Sequence, residues 1–385
     1  MTIVRAQTLH LKIPLALDYA HQRARFANAE SLLLLLEDDA GNCGIGEAQP
    51  RPWVTGETID EVFGELVTRQ HGLLGRSIDE LDDVAGRLDA LAFTLATRSG
   101  RQHLATLCAF DTALLDLLGK RKRETVAASL GWPETGEFVP VLPVGQVSDA
   151  TLAKLLVWAR EHRVVDAKLR VGSDLPDILA RVGVLRRELG ELRIGVDANG
   201  TWSREVLLSF APALVEAGIS YVEQPLPAGR ELELAELRKQ LPAALKISLD
   251  ESLCTLDEVR HVHALAACDL YTLKVGKCGG LLRAGAIADY LRANELPVAI
   301  STHVAESAVL EQAGLALARR VGRPWSFELG YSATLLREQA VLPVAGRPGL
   351  GVVLDEATLD RWTARRGVAE SSMSAAMDPD DLDVE

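Results

Sequence analysis

Cysteine is scarce in this 385-residue chain, and its five members, Cys43, Cys108, Cys254, Cys268 and Cys278, are an odd, scattered set with no C-x-x-C spacing. That excludes a disulfide scaffold, a thiolate zinc site and a dithiol redox motif, and it fits the reduced thiols of a cytoplasmic protein. Aromatic residues make up only 5%. No long apolar run exists: the longest stretch of strong apolars, residues 32–36, is far short of the roughly 20 that span a bilayer. The first residues show no basic segment leading into an apolar signal-type stretch. Positive charge is in deficit, with 41 Lys and Arg against 54 Asp and Glu, a net charge of -13. Nucleic acid and anionic membrane are therefore not expected as partners, since both are held by clustered bases. Five of the acids (Asp378, Asp380, Asp381, Asp383 and Glu385) crowd into the last eight residues, so the acidity of the body is milder than the total implies.

What remains is ordinary globular composition, 48% hydrophobic and 25% charged, in a chain long enough for two or three domains. Strand-like alternation over 3–15, 31–36 and 43–48 includes a hairpin turn at Asp38-Asp39-Ala40-Gly41-Asn42. Residues 18–28, with Tyr19, His21 and Phe26, are too irregular for either element and read as a mobile loop. Helical periodicity runs through 58–119. From 138 onward, short β-branched runs alternate with amphipathic ones, predicting strands at 138–144, 164–170, 193–197, 219–223, 245–250, 270–276, 297–301 and 325–329. Eight strands separated by seven helices predict an α/β barrel. An open doubly wound sheet would want a glycine-rich fingerprint after its first strand, and Val144-Gly145-Gln146 supplies none.

Barrel enzymes carry their chemistry at the C-terminal ends of the strands. Here the third, fourth and fifth strands end in Asp197, Glu223 and Asp250, spaced 26 and 27 residues apart, one β/α unit each. Three acids converging on one rim raise one another's pKa unless a cation joins them, and hard oxygen donors of this kind suit Mg²⁺. Lys168 and Arg170, at i and i+2, share one side of the second strand; Lys274 and Lys277 close the sixth. Cations flanking a carboxylate–metal centre suit removal of a proton next to a substrate carboxylate, with the metal stabilising the enolate and a lysine taking the proton. The plainer reading is a set of ion pairs tying rim acids to rim bases.

The same stretches resemble the enolase superfamily, specifically its mandelate racemase/muconate lactonizing enzyme branch. The matching motifs are Gly46-Glu47-Ala48, Thr55-Gly56-Glu57-Thr58, Ala109-Phe110-Asp111, Asp116-Leu117-Leu118-Gly119-Lys120, Asp197-Ala198-Asn199, Glu223-Gln224-Pro225, Asp250-Glu251-Ser252 and Lys274-Val275-Gly276-Lys277-Cys278-Gly279-Gly280. The resemblance implies a modified (β/α)₇β TIM-type barrel with an α+β capping domain, one Mg²⁺ per barrel on Asp197, Glu223 and Asp250, and a small carboxylate substrate. It also implies cap loops near 19–26 and 50–56 that close over the substrate. The domains expected are an N-terminal cap at 1–130, a barrel at 131–330, a segment at 331–366 returning to the cap and a disordered acidic tail at 367–385. A homo-oligomer is expected.

Lys277 looks like the sixth-strand lysine of the muconate lactonizing subgroup and is read as the base. His303 could align with the histidine of mandelate racemases, but Tyr271 stands where its orienting Asp is expected, so His303 reads as a substrate contact. The subgroup's Lys-x-Lys is here Lys168-Leu169-Arg170. With a reference pKa near 12.5 or above, the neutral fraction of Arg at pH 7 is on the order of one in 10⁵ to 10⁶, which makes Arg170 a poor base and a good carboxylate clamp. A one-base cycloisomerisation or elimination is thus the leading expectation. A racemase or epimerase using Lys277 against Lys168, Arg170 or His303 is the second, and a non-catalytic metal-binding barrel the third. Phe327-Glu328-Leu329-Gly330 stands where dipeptide epimerases carry Asp-x-Asp, which disfavours a dipeptide. Asn199, Trp53, His303 and Glu306 are the expected substrate contacts.

Overall fold

A computed structural model describes residues 2–21, 24–99, 102–330 and 332–371. It opens with β1 (Ile3–His21), β2 (Ala24–Asp38) and β3 (Cys43–Ala48), an antiparallel meander completed on the outer side of β1 by the C-terminal strand Thr363–Glu370. Leu32 to Leu36 of β2 are all buried, although successive residues face opposite sides of a sheet. Both faces of the strand must therefore be covered, and helices α1 (Ile59–Gln70) and α3 (Leu104–Lys122) pack on it; α2 (Leu81–Ser99) packs in turn on α3. The sheet and helices form the cap.

Two sequence expectations need correction here. The stretch 18–28 is not an irregular loop in its described part: β1 runs to His21 and β2 restarts at Ala24, with Tyr19 opposite Phe26. The register breaks between Pro14 and Tyr19, so the alternation is interrupted and the pattern hides the strand. The disordered tail does not begin at 367 either. Gly367 to Glu370 pair with Thr8 to Arg5 of β1, and Ala369 is buried, so backbone pairing holds a segment that composition alone marks as loose. The remainder of that tail, from 372, lies outside the described residues.

The barrel follows. Strands β4 (Leu142–Val144), β5 (Asp166–Arg170), β6 (Arg193–Asp197), β7 (Ile219–Glu223), β8 (Lys246–Leu249), β9 (Leu270–Leu273), β10 (Val298–Ile300) and β11 (Ser326–Phe327) form one parallel sheet in chain order. A hydrogen bond from the Val141 N–H to the Phe327 carbonyl, 2.7 Å, joins the last strand back to the first. Five of the helices between them start where short polar side chains can accept from the first turn: Ser148, Asp174, Ser203, Thr255 and Ser307 each take a backbone N–H two or three residues on. Inside the barrel the Tyr221 ring occupies the space that any side chain at Gly195 would need, 2.1 Å from an ideal Cβ.

The cap and barrel are joined by buried carboxylates. Glu47 accepts from the Ser307 N–H and hydroxyl at the start of helix Ala308–Val321, and Asp111 accepts from the N–H groups of Leu281 and Leu282 at the start of helix Leu281–Ala293. Gly280, at φ +105°, allows the second contact, because an added Cβ would lie 2.2 Å from the Asp111 carboxyl carbon. Glu57 caps α3 through Ala105 and Thr106, and Asp116 gathers Ile45, Leu350 and Lys120. Of the N-terminal motifs that carried the resemblance, Glu47 and Asp111 thus anchor the starts of two barrel helices, while Glu57 and Asp116 hold the cap together.

Candidate active site

Most of the charged side chains of the site come from the last residue of a barrel strand or from just beyond it; Lys168 lies two residues before the end of β5. Arg170, Asp197 and Glu223 end β5, β6 and β7 in register with one another. Asp250, Lys274 and Glu328 each stand one residue past β8, β9 and β11. The loops after β6, β7 and β10 place Asn199, Gln224 and Ala305 at positive φ (+48°, +38° and +61°), a conformation that non-glycine residues hold only where the surroundings enforce it.

The three acids Asp197, Glu223 and Asp250 stand on consecutive strands and are paired by the bases that flank them, Lys168 and Arg170 on β5 and Lys274 after β9. Lys168 Nζ lies 2.7 Å from Glu223 and 2.5 Å from Glu328. Arg170 lies 2.8 Å from Asp197 and 3.7 Å from Glu328, and Lys274 is 2.6 Å from Asp250. Asn199 donates to Asp197 at 3.0 Å and to Glu251 at 3.3 Å, while Thr272 donates to Glu223 at 3.3 Å. Burial lowers Lys168, but Glu223 and Glu328 outweigh it and hold the amine well above the ordinary lysine range. A lysine clamped between two carboxylates is a poor proton acceptor. Glu328, which sequence reasoning weighed only as a dipeptide determinant, is the shared partner of Lys168 and Arg170; Ser301 also donates to it at 2.7 Å.

Lys274 and Lys277 part company here. The predicted strand 270–276 ends at Leu273, and Val275–Cys278 is a short helical turn. Lys274 therefore stays at the barrel mouth, whereas Lys277 is carried under it and is 0% exposed. Its amine donates to the Thr272 carbonyl at 2.9 Å, to Asp250 Oδ1 at 2.8 Å and to the Asp250 carbonyl. Burial lowers its pKa, but Asp250 overrides burial and keeps it above the ordinary range. Replacing Lys277 by Met strands those oxygens in the interior and is expected to cost about 3 kcal/mol of stability, measured by denaturant unfolding.

A cleft over the ring is lined by Arg51, Trp53 and Val54 of the cap, by Arg170, Asn199, Glu251 and Lys274, and by Thr302, His303 and Val304 after β10. Of the expected substrate contacts, Asn199, Trp53 and His303 line it. Glu306 lies behind His303, accepting its backbone N–H at 2.9 Å, and burial pushes it up to about 8. Arg51 was missed. It sits in a cap loop whose position over the barrel is set by tertiary packing, and only its place in the turn-rich run 49–57 could have singled it out.

Among the described residues no group of three Asp, Glu, His or Cys side chains already stands in a metal-ligating arrangement. The donor set nevertheless fits a divalent cation in type and charge. Burial pushes Glu223 up to about 7, with Lys168 opposing and Asp197 and Asp250 adding to the rise, which is the strain a cation between these acids relieves. Glu251 Oε2 is buried beside them with no hydrogen-bond partner, and burial, then Asp250 and Asp197, push that acid up to about 7 as well.

Comparison with known proteins agrees with this architecture. The family model "Enolase C-terminal domain-like" matches residues 151–358. N-succinyl-L-Arg/Lys racemase of Bacillus cereus is 24% identical over 380 residues, covering 94% of this chain and 98% of that protein. Muconate cycloisomerase 1 of Rhodococcus opacus is 28% identical over 386 residues, covering 94% and 99%. The structure of a dipeptide epimerase from Cytophaga hutchinsonii, complexed with Mg and the dipeptide D-Ala-L-Val, superposes with a TM-score of 0.82 at 20% identity, covering 96% of this chain and 100% of that one. With the barrel, the cap and the ring of strand-end acids and bases in place, the chain belongs to the mandelate racemase/muconate lactonizing enzyme family of the enolase superfamily, whose members are isomerases and lyases.

Proposed function

We propose that this enzyme moves one proton at the α-carbon of a small carboxylate substrate through a single lysine, Lys274, which removes it ahead of elimination or, in cycloisomerisation of a dienoic acid, delivers it to the enolate that ring closure forms. The observation that carries the reading is that Lys274 and Arg170 line the same cleft and Lys277 does not. Strands β5 and β9 are four apart in an eight-stranded ring, so the two side chains face each other across the mouth. The base thus moves from Lys277, the expectation from spacing, to Lys274. The spacing rule counts from strand end to strand end, and both Asp250 and Lys274 occupy the first position after their strands.

Asp197, Glu223 and Asp250 would hold Mg²⁺, which when bound supplies the positive charge that stabilises an enolate. Lys274 takes or delivers the proton on one face. Arg170 on the other binds or stabilises negative charge without exchanging a proton, and Lys168, fixed by Glu223 and Glu328, keeps Arg170 and the acids in place. Racemisation is the second reading, favoured by kinship to the Bacillus cereus racemase. It needs a proton acceptor opposite Lys274, a task for which arginine is unsuited.

The test is a panel of dienoic diacids, β-hydroxy acids and N-acyl amino acids incubated with enzyme and Mg²⁺, with products identified by NMR. A new carbon skeleton or a new double bond is expected, lost on chelation. Unchanged substrate recovered as both stereoisomers would sink the one-base reading in favour of the second.

A further inference from the structure

The reacting groups rise from the strand ends, but a second wall of the cleft is built differently. Arg51, Trp53 and Val54 reach down from the cap, and Thr302, His303 and Val304 come from the loop after β10. These two segments are fastened together. Alternate residues of the cap chain grip the barrel loop in succession: Glu47 holds Ser307, Gln49 donates to the Ala305 carbonyl at 3.0 Å, and Arg51 Nη2 donates to the Val304 carbonyl at 3.2 Å. A second Arg51 nitrogen donates to the Pro50 carbonyl at 3.3 Å. The guanidinium is therefore oriented by backbone carbonyls on the wall of the cleft, and its planar fork matches a carboxylate.

His303 supplies an independent observation. Its side chain is 6% exposed, it lines the cleft, and neither ring nitrogen makes a hydrogen bond. Glu306 Oε1, which is not part of the cleft lining, stands 3.5 Å from Nδ1. Burial, then Lys274 and Arg51, hold the imidazole well below its ordinary range, so the ring is neutral and carries one N–H to give. Buried polar atoms in native proteins almost always have partners, and one left open at a cleft wall is completed by what the cleft binds. Arg51, drawn down to about 10 by burial, stays cationic at neutral pH, and the one acid among the lining residues is Glu251, beside the strand-end acids.

We propose that Arg51 and His303 form a subsite for a second acidic group, so that the substrate is a dianion with one carboxylate at the strand ends and another held between the cap and the β10 loop. The proposal rests on the assignment of the strand-end cleft as the reacting site. It makes the substrate class narrower than a carboxylate and gives the cap loop a selective role.

The test uses full-length enzyme with Mg²⁺ and titration calorimetry of succinate, glutarate and adipate, each against its own monoamide, which matches the acid in shape but lacks the second charge. At least one diacid is expected to bind on the order of tenfold or more tightly than its amide. Arg51→Gln should erase that preference and Arg51→Lys should restore part of it, with unfolding midpoints confirming that each variant is folded. Equal binding of acid and amide at all three lengths, or a preference that survives Arg51→Gln, overturns the proposal. Deuterium exchange at the α-carbon of the reaction panel is read separately. A diacid preference without exchange on any acid upholds the subsite and defeats the proposed reaction, whereas exchange without a diacid preference does the reverse.

Discussion

Lys274→Ala is expected to abolish turnover almost completely, with kcat lower by on the order of 10³-fold or more and the fold intact. Lys274 lines the cleft, and its removal leaves Asp250 still held by Lys277 at 2.8 Å, so no buried acid is stranded. The unfolding midpoint should therefore stay close to that of the wild type. Lys277→Met should behave in the opposite sense, losing stability first and activity only as a consequence. Kinetics and denaturant unfolding on the two variants side by side separate a base from a strut. If Lys274→Ala turns over normally while folded Lys277→Met does not, the assignment is reversed.

Arg170→Lys is the second large effect. A lysine there restores the Lys-x-Lys pattern that the muconate lactonizing subgroup shows, and it places a titratable amine opposite Lys274. At pH 7 a lysine of ordinary pKa has a neutral fraction on the order of 10⁻³ to 10⁻⁴, at least tenfold to a thousandfold above arginine. The variant should therefore gain racemisation of an α-substituted acid, by about 10²-fold over wild type. Chiral chromatography of recovered substrate measures it. No gain in a folded variant that still binds substrate would mean that the face opposite Lys274 is closed to proton transfer for some reason other than the arginine.

Much of this was legible in the chain because a barrel repeats. Once the alternation set the strand ends, Asp197, Glu223 and Asp250 fell one unit apart, and Lys168 and Arg170 followed from a two-residue period. Misreadings arose where the repeat is locally broken. Counting 27 residues from Asp250 reaches Lys277, but a helical turn at Val275–Cys278 ends the strand early and puts that lysine underground. Propensity does not mark such a turn, because Val275 and Gly276 suit a strand end as well. Arg51 was invisible for a different reason: its function depends on where a cap loop lands on the barrel, which only the long-range contacts of Glu47, Gln49 and Arg51 with residues 304–307 decide. The motifs that carried the family resemblance proved partly structural, since Glu47, Glu57, Asp111 and Asp116 spend their carboxylates on helix ends and backbone N–H groups.

The central claim is that protons move on one face only. The most direct measurement is NMR of a single stereoisomer of substrate incubated with wild-type enzyme and Mg²⁺ in D₂O and stopped before product accumulates. A base at Lys274 with Arg170 opposite predicts deuterium entering the recovered substrate with its configuration retained. Deuterium appearing in the opposite stereoisomer at a comparable rate would contradict it.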